Sequence, residues 1–170
     1  ETPDDMHNRI ASEFARMETK FGGENALSQE QIYDLIKNFK YIVPQGSPMM
    51  GIGNNHVNVS LSNCVVVASP EDNISSIIDS SKSLANLFKR RCGVGLDISQ
   101  LRPEGTPVNN SAGTTTGAWS FADLYSYVCR MIGQNGRRGA LMISMDVRHP
   151  DIEKFVTMKQ NLTKVTGANV

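Results

Sequence analysis

The chain predicts an α/β protein: a helical hairpin at the amino end, then strands and helices in alternation. Three observations carry this. Apolar residues recur at helical spacing through the first forty positions. From Val57 onward, runs rich in β-branched residues alternate with amphipathic helical patterns, which implies parallel strands joined by helical crossovers, in an open sheet or part of a barrel. One long polar loop, 102–117, interrupts that alternation, and a loop of this length inside a compact domain is usually functional or disordered.

The first helix starts at Thr2-Pro3-Asp4-Asp5. Thr2 can cap, Pro3 suits the first turn, and the two aspartates favour the positive end of the helix dipole. Ile10, Phe14, Met17 and Phe21 then mark one face, and Gly22-Gly23 ends it. Ser28-Gln29-Glu30-Gln31 fits a capping box ahead of Ile32, Leu35, Ile36 and Phe39. The stretch Val43 to Pro48 reads as a loop, and the organisation expected is a helical region, 1–43, followed by the α/β part, 44–170. Val57 to Ala68 reads as a strand, largely buried toward its end. A helix is expected from Ser69-Pro70-Glu71-Asp72, with Ile74, Ile77, Ile78, Leu84, Leu87 and Phe88 inward and Lys89-Arg90-Arg91 at its negative end. Gly93 to Ile98 is a second strand, Ser120 to Ile132 a helix, Ala140 to Val147 a third strand, and Pro150-Asp151-Ile152 a further helix start. Val165 to Val170 reads as a fourth strand, whose unpaired edge would invite association.

Bulk properties narrow the function. The chain has 170 residues, 39% hydrophobic and 20% charged, an ordinary globular balance. Lys+Arg and Asp+Glu both total 17, so the net charge is zero, which argues against a general nucleic-acid or membrane-surface binder; any phosphate site is local. Three widely spaced cysteines, Cys64, Cys92 and Cys129, do not suggest a disulfide framework, and a reducing cytoplasm is expected. His7, His56 and His149 make no metal-ligand spacing. No P-loop, Rossmann fingerprint or G-x-S-x-G elbow is present. Both termini read as cut from a longer polypeptide.

Two features could carry chemistry. Gly133-Gln134-Asn135-Gly136-Arg137-Arg138-Gly139-Ala140 sets two arginines in a glycine-framed loop between a helix and a strand. Arginine's planar fork suits phosphates and stacks on bases, so the loop could read a nucleotide; it could equally be a solvated turn. Because it follows a helix, it lies opposite the strand carboxyl ends, where ligands of such folds gather. Cys64 is either a small buried hydrophobe or an accessible redox or nucleophilic thiol. Cys92 and Cys129 read as structural.

Five blocks occur in order: Ser62-Asn63-Cys64-Val65-Val66; Arg91-Cys92-Gly93-Val94-Gly95-Leu96-Asp97-Ile98-Ser99; Leu101-Arg102-Pro103-Glu104-Gly105; Gln134-Asn135-Gly136-Arg137-Arg138-Gly139-Ala140; and His149-Pro150-Asp151-Ile152-Glu153. Together they resemble the catalytic (large) subunit of ribonucleotide reductase across nearly the whole chain. The fourth block and Leu162 to Val170 are most similar to adenosylcobalamin-dependent enzymes and related bacterial metal-radical forms.

The resemblance implies the first strands of a ten-stranded α/β barrel, incomplete in this chain, entered after a helical region. It implies that Cys64 is the first redox-active cysteine, half of a dithiol that reduces the ribose 2′ position. Ser47, Asn63, Gly93 and Arg138 would contact substrate. Asp72 and Arg102 would hold the deoxyribose and phosphates of an allosteric effector. Gln134, Asn135, Gly136, Arg137 and Gly139 would form the specificity loop between the two sites. A second effector arginine of some relatives falls on Asn109, and Arg137 stands where some relatives have an apolar residue. The thiyl-radical cysteine, the second redox cysteine and the main phosphate loop would lie beyond Val170, so this segment alone is expected to be inactive.

For the whole protein the resemblance implies ribonucleoside di- or triphosphate substrates, dNTP and ATP effectors, and thioredoxin or glutaredoxin as reductant. It also implies a homodimer and either adenosylcobalamin or a metal-radical partner subunit, neither of them bound by this segment alone. A stand-alone nucleotide-sensing module, or a split-gene piece needing a second chain, are the competing readings.

Overall fold

The structure is a computed structural model that describes residues 1–132 and 139–160. By contacts the chain divides into two compact units, Glu1–Asn63 and Cys64–Val170.

The first unit is the expected helical hairpin: α1 (Pro3–Phe21) packs on α2 (Gln29–Ile36), followed by a short α3 (Gly46–Gly51). Both predicted starts are built as capping boxes. Thr2 Oγ1 accepts from the Asp5 amide at 3.2 Å while Asp5 Oδ2 accepts from the Thr2 amide at 2.8 Å. Ser28 and Gln31 make the same reciprocal pair. Ile10, Ala11, Ile32 and Ile36 form the core. The predicted apolar stripe continues past that core: Phe14, Met17 and Phe21 are exposed, because α2 is too short to cover the second half of α1. α3 occupies part of the predicted 43–48 loop and the residues after it. Arg9 secures it by donating to the backbone oxygens of Met49 (2.8 Å) and Ile52.

The second unit holds three parallel strands in the order β1 (Cys64–Val66), β2 (Gly93–Asp97) and β3 (Leu141–Ser144). The crossovers are α4 (Ile74–Phe88) and α5 (Ala118–Met131), and α6 (Ile152–Thr157) follows β3. This is the alternation the sequence predicts, and it fits an incomplete α/β barrel. β1 is much shorter than the Val57–Ala68 run. β-branched residues make a strand only where a ladder partner exists, and β2 offers one at Cys64, Val65 and Val66.

Strand parity decides which side chains are covered. Val65, Val94, Leu96, Leu141 and Ile143 face the helices and pack with Ile77, Leu84, Phe88, Ala122 and Tyr125. Burial pushes the Tyr125 phenol up to about 12. The opposite face carries Cys64, Val66, Gly93, Gly95 and Met142. There Val66 is 81% and Met142 67% exposed, so the expected burial of β1 holds for only one of its faces.

α4 begins later than predicted. Asn73, not Ser69 or Asp72, is its cap: Asn73 Oδ1 accepts from the Ser76 amide at 2.9 Å. Ile77, Leu84 and Phe88 are buried, whereas Ile74 and Ile78 lie on the outer flank. The expected strand at 165–170 falls outside the described residues.

Candidate functional site

Of the expected site residues described in the second unit, Cys64, Gly93 and Gly139 lie at the amino end of the parallel sheet, and Asp72 and Arg102 follow its carboxyl end. At the amino end, Cys64 opens β1 and pairs in register with Gly93, the first residue of β2. The thiol is exposed, and the reading of Cys64 as a buried hydrophobe is overturned. Period-2 parity puts it on the face opposite α4 and α5, with the exposed Val66 and Met142. Gly93 and Gly95 set no side chain on that face, so the strip beside Cys64 is backbone flanked by Val66 and Met142. Cys92 and Cys129 are buried, as expected of structural cysteines, and burial pushes the Cys129 thiol up.

β3 enters the sheet at this same end. Val94 donates its amide to the Ala140 oxygen at 2.9 Å, and Leu141 pairs with Val94. Gly139, at the close of the arginine loop, lies against α5. A Cβ there would sit 2.6 Å from Cys129 Sγ and 2.8 Å from the Cys129 oxygen, so a glycine is required by close approach. Gln134, Asn135, Gly136, Arg137 and Arg138 lie outside the described residues. The loop's helix-to-strand position, which set it apart from the usual ligand end, puts its exit at Gly139 and Ala140 at the same, amino, end of the sheet as Cys64 and Gly93.

Within the first unit, Ser47 and Asn63 come together. The buried Ser47 donates its amide to Asn63 Oδ1 at 2.7 Å, across the short α3 helix start. Asn63 directly precedes Cys64 in the chain.

At the carboxyl end of the sheet, Asp72 (after β1) and Arg102 (after β2) make a compound contact. Arg102 donates from Nε to Asp72 Oδ2 at 2.6 Å, from its amide to Oδ1 at 3.1 Å, and from Nη2 to the Asp72 oxygen at 3.1 Å. Both side chains are about a third exposed, and a pair so placed contributes no more than about 1 kcal/mol. Such a contact is cheaply exchanged for an anionic ligand. The pair borders a cleft of about 460 Å³ whose other walls include Ile77, Asn109, Thr115 and Phe121. Asn109, the position that departs from an arginine, therefore stands in this cleft.

The polar loop that forms much of the wall is folded. Pro107 and Thr114 form an antiparallel bridge; Thr115 donates to the Thr106 oxygen and Val108 to the Gly113 oxygen, both at 3.0 Å. Gly105 (φ 79°) and Gly113 (φ 76°) supply left-handed turns. The carboxyl ends of β2 and β3 are tied together. Burial opposes ionisation of Asp97, but hydrogen bonds from Ser144 (2.7 Å) and the Ser99 amide (3.0 Å) outweigh it and lower its pKa. Beside it, hydrogen bonds from Arg148 hold Asp146 down to about 2.

Sequence reasoning missed the role of Asp151. Pro150-Asp151-Ile152 predicts a helix start, and α6 does begin there, but the Asp151 side chain makes no capping bond to it. It is buried and accepts instead from the amides of Glu104 and Ala118, the latter the first residue of α5. No local signal reveals this, because the partners lie more than thirty residues away in the chain. Among the described residues no three His, Cys, Asp or Glu side chains converge to hold a metal, so no step is assigned to a metal on these residues. Nor, among them, is any helix long and apolar enough to cross a membrane.

Comparisons with known proteins agree with this architecture. Residues 62–168 match the family model described as the ribonucleotide reductase barrel domain. A vitamin B12-dependent ribonucleoside-diphosphate reductase of Mycobacterium tuberculosis is 32% identical over 94% of this chain and 23% of its own length. A vitamin B12-dependent ribonucleoside-diphosphate reductase of Thermoplasma acidophilum is 33% identical over 72% of the chain and 16% of its length. The ribonucleoside-diphosphate reductase large subunit of Caenorhabditis elegans is 27% identical over 82% and 18%. The fold is similar to that of the Actinobacillus ureae class Id ribonucleotide reductase alpha subunit: TM-score 0.69, 20% identity, 88% of this chain and 26% of that one. The chain thus spans less than a quarter of the length of the curated relatives it matches. With most of its residues inside the matched region, the chain belongs to the ribonucleotide reductase barrel-domain family.

Proposed function

We propose that this chain is the part of a ribonucleotide reductase large subunit that supplies one redox thiol and the effector cleft. The observation that carries the reading is Cys64: an exposed thiol on the first of the described parallel strands, on the sheet face opposite α4 and α5, beside the side-chain-free Gly93. In the full-length protein its partner thiol comes from outside this segment. The overall step balances as a ribonucleotide and two thiols giving a 2′-deoxyribonucleotide, one disulfide and water. The leaving 2′-hydroxyl departs as water, and both electrons come from the sulfurs. An external dithiol of the thioredoxin or glutaredoxin class then re-reduces the disulfide. Ser47, Asn63, Gly93 and Arg138 are proposed to contact substrate, and Asp72 with Arg102 a dNTP or ATP effector. Gln134, Asn135, Gly136, Arg137 and Gly139 are proposed as the specificity loop.

The B12-dependent relatives support a cobalamin cofactor for the whole enzyme, which would generate the radical elsewhere in the subunit. A homodimer in the cytoplasm, acting in deoxyribonucleotide synthesis for DNA replication, completes the proposal. Two domains, 1–43 and 44–170, are proposed on the composition change at Val43. The decisive experiment is Cys64→Ser in the full-length large subunit, assayed over many turnovers with a dithiol reductant. Turnover is expected to cease with the fold intact, and sustained turnover would remove Cys64 from the mechanism.

A further inference from the structure

We propose that Asp151 is a positioning residue for the effector cleft, clamping both ends of the 102–117 loop from the turn after β3. The inference rests on reading that cleft as a nucleotide site.

Asp151 is 5% exposed, and a carboxylate so placed needs strong donors. It has them at the loop's two ends. The Glu104 amide approaches Oδ1 at 3.2 Å and Oδ2 at 3.1 Å, and the Ala118 amide approaches Oδ2 at 3.1 Å. Ala118 is the first residue of α5, whose own cap position is Gly117 and offers no side chain. Asp151 therefore caps α5 from across the fold, with its negative charge at the positive end of the helix. Gly117 shows how tight this junction is. Its φ is 90°, and a Cβ there would lie 2.6 Å from Asp151 Oδ2 and 2.7 Å from the Glu104 nitrogen.

The same turn grips the residue before Arg102. His149 is buried; its Nδ1 accepts from the Asp151 amide at 3.1 Å, which leaves Nε2 to donate to the Leu101 oxygen at 2.8 Å. The Glu104 side chain adds outer ties, accepting from Trp119 Nε1 at 2.9 Å and from Lys154. Leu101, Glu104 and Ala118 are thus fastened to one turn, and the cleft walls at Arg102, Asn109 and Thr115 hang between those points. A wall ordered before the ligand arrives binds it without the cost of ordering.

The test uses the full-length large subunit, with dATP and dTTP binding measured by calorimetry and amide exchange measured without nucleotide. Asp151→Ala is expected to raise the nucleotide dissociation constants about tenfold, the scale of a lost cap. Asp151→Asn, which keeps one acceptor, should raise them about threefold. Gly117→Ala, which pushes a methyl into the junction, should act in the same direction. Exchange across 103–118 should quicken in all three. If Asp151→Ala does not fold, Asp151→Asn and Gly117→Ala decide.

A merely structural role would lower the melting temperature and leave the affinity of the folded protein unchanged; that result overturns the proposal. Asp72→Ala separates the two levels of inference. If it weakens binding while folded Asp151 variants bind normally, the clamp alone fails. If neither Asp72→Ala nor the Asp151 variants alter binding, the effector reading fails and the proposal falls with it.

Discussion

At its amino end the sheet presents a thiol, two glycines and exposed apolar side chains; at its carboxyl end it presents a web of paired charges and capped turns. Cys64, Val66 and Met142 are exposed beside the side-chain-free Gly93 and leave a strip of sheet open. Asp72, Arg102, Asp97 and Asp151 are each held by side-chain hydrogen bonds to a neighbouring segment, and Asp146 donates its amide to Ser99 Oγ. The contrast follows from what each end is proposed to do. A redox thiol must meet substrate and a second sulfur, so it cannot be packed away. A regulatory cleft must keep its shape before a ligand arrives, so its loop is tied at several points.

Breaking each end should therefore give a different phenotype. The largest effect is expected at the amino end. Cys64→Ser in the full-length subunit should abolish multiple turnover and leave stability within about 0.5 kcal/mol, as for an exposed position. A denaturant melt beside the activity assay separates the two. Next is Gly139→Ala, where the added methyl meets Cys129; overpacking of this kind costs about 1–3 kcal/mol, read as a lower denaturation midpoint. Gly105→Ala is a useful contrast, because nothing crowds that site and only the positive φ opposes it.

At the carboxyl end the expected losses are in binding. Asp72→Ala or Arg102→Ala should raise the effector dissociation constant about tenfold to a hundredfold, the range for hydrogen bonds to charged groups, with effector-free turnover measured in parallel. Unchanged calorimetric affinity would reject the site.

The smallest effect tests the strand-end web by pH. The Asp97 pKa is depressed in the folded state, so its contribution is present above the ordinary value of 3.8 and disappears as pH falls through the lowered one. Acid unfolding of Asp97→Asn should be less steep than that of the parent below pH 3.8, by less than about 1 kcal/mol after solvent screening. Identical acid profiles would show that the Ser144 and Ser99 bonds do not stabilise the ionised form.

Much of the architecture was legible in the residues. Thr2 announces a cap and Ser28 a capping box, since either needs only residues three positions apart; the Asp5 half of the first box is added by the structure. The alternation after Val57 announces parallel strands. Boundaries were less legible: β1 is confined to the residues that meet β2, and α4 starts at Ile74, capped by Asn73, while Asp72 is engaged by Arg102. Individual apolar positions also misled. Phe14, Phe21, Ile74 and Ile78 sit at helical spacing but face outward, because periodicity marks a stripe and not the width of what covers it.

For the site, residue type and order pointed to Cys64, Asp72 and Arg102 as separate candidates. Their arrangement did not follow from the chain itself. The meeting of Asp72 and Arg102, the Ser47–Asn63 contact and the Asp151 clamp all join residues far apart in sequence. By itself the sequence determined the order of the longer helices and of the three described strands, that those strands are parallel, and which residue types could do the chemistry. Those properties are local, or arise from periodicity. Only the tertiary structure decided that Cys64 is exposed, that it opens its strand at the end of the sheet where β3 enters, and that a buried carboxylate after β3 caps a helix before it. Each depends on strand register and on which face the helices cover, and no short window of the chain contains that information.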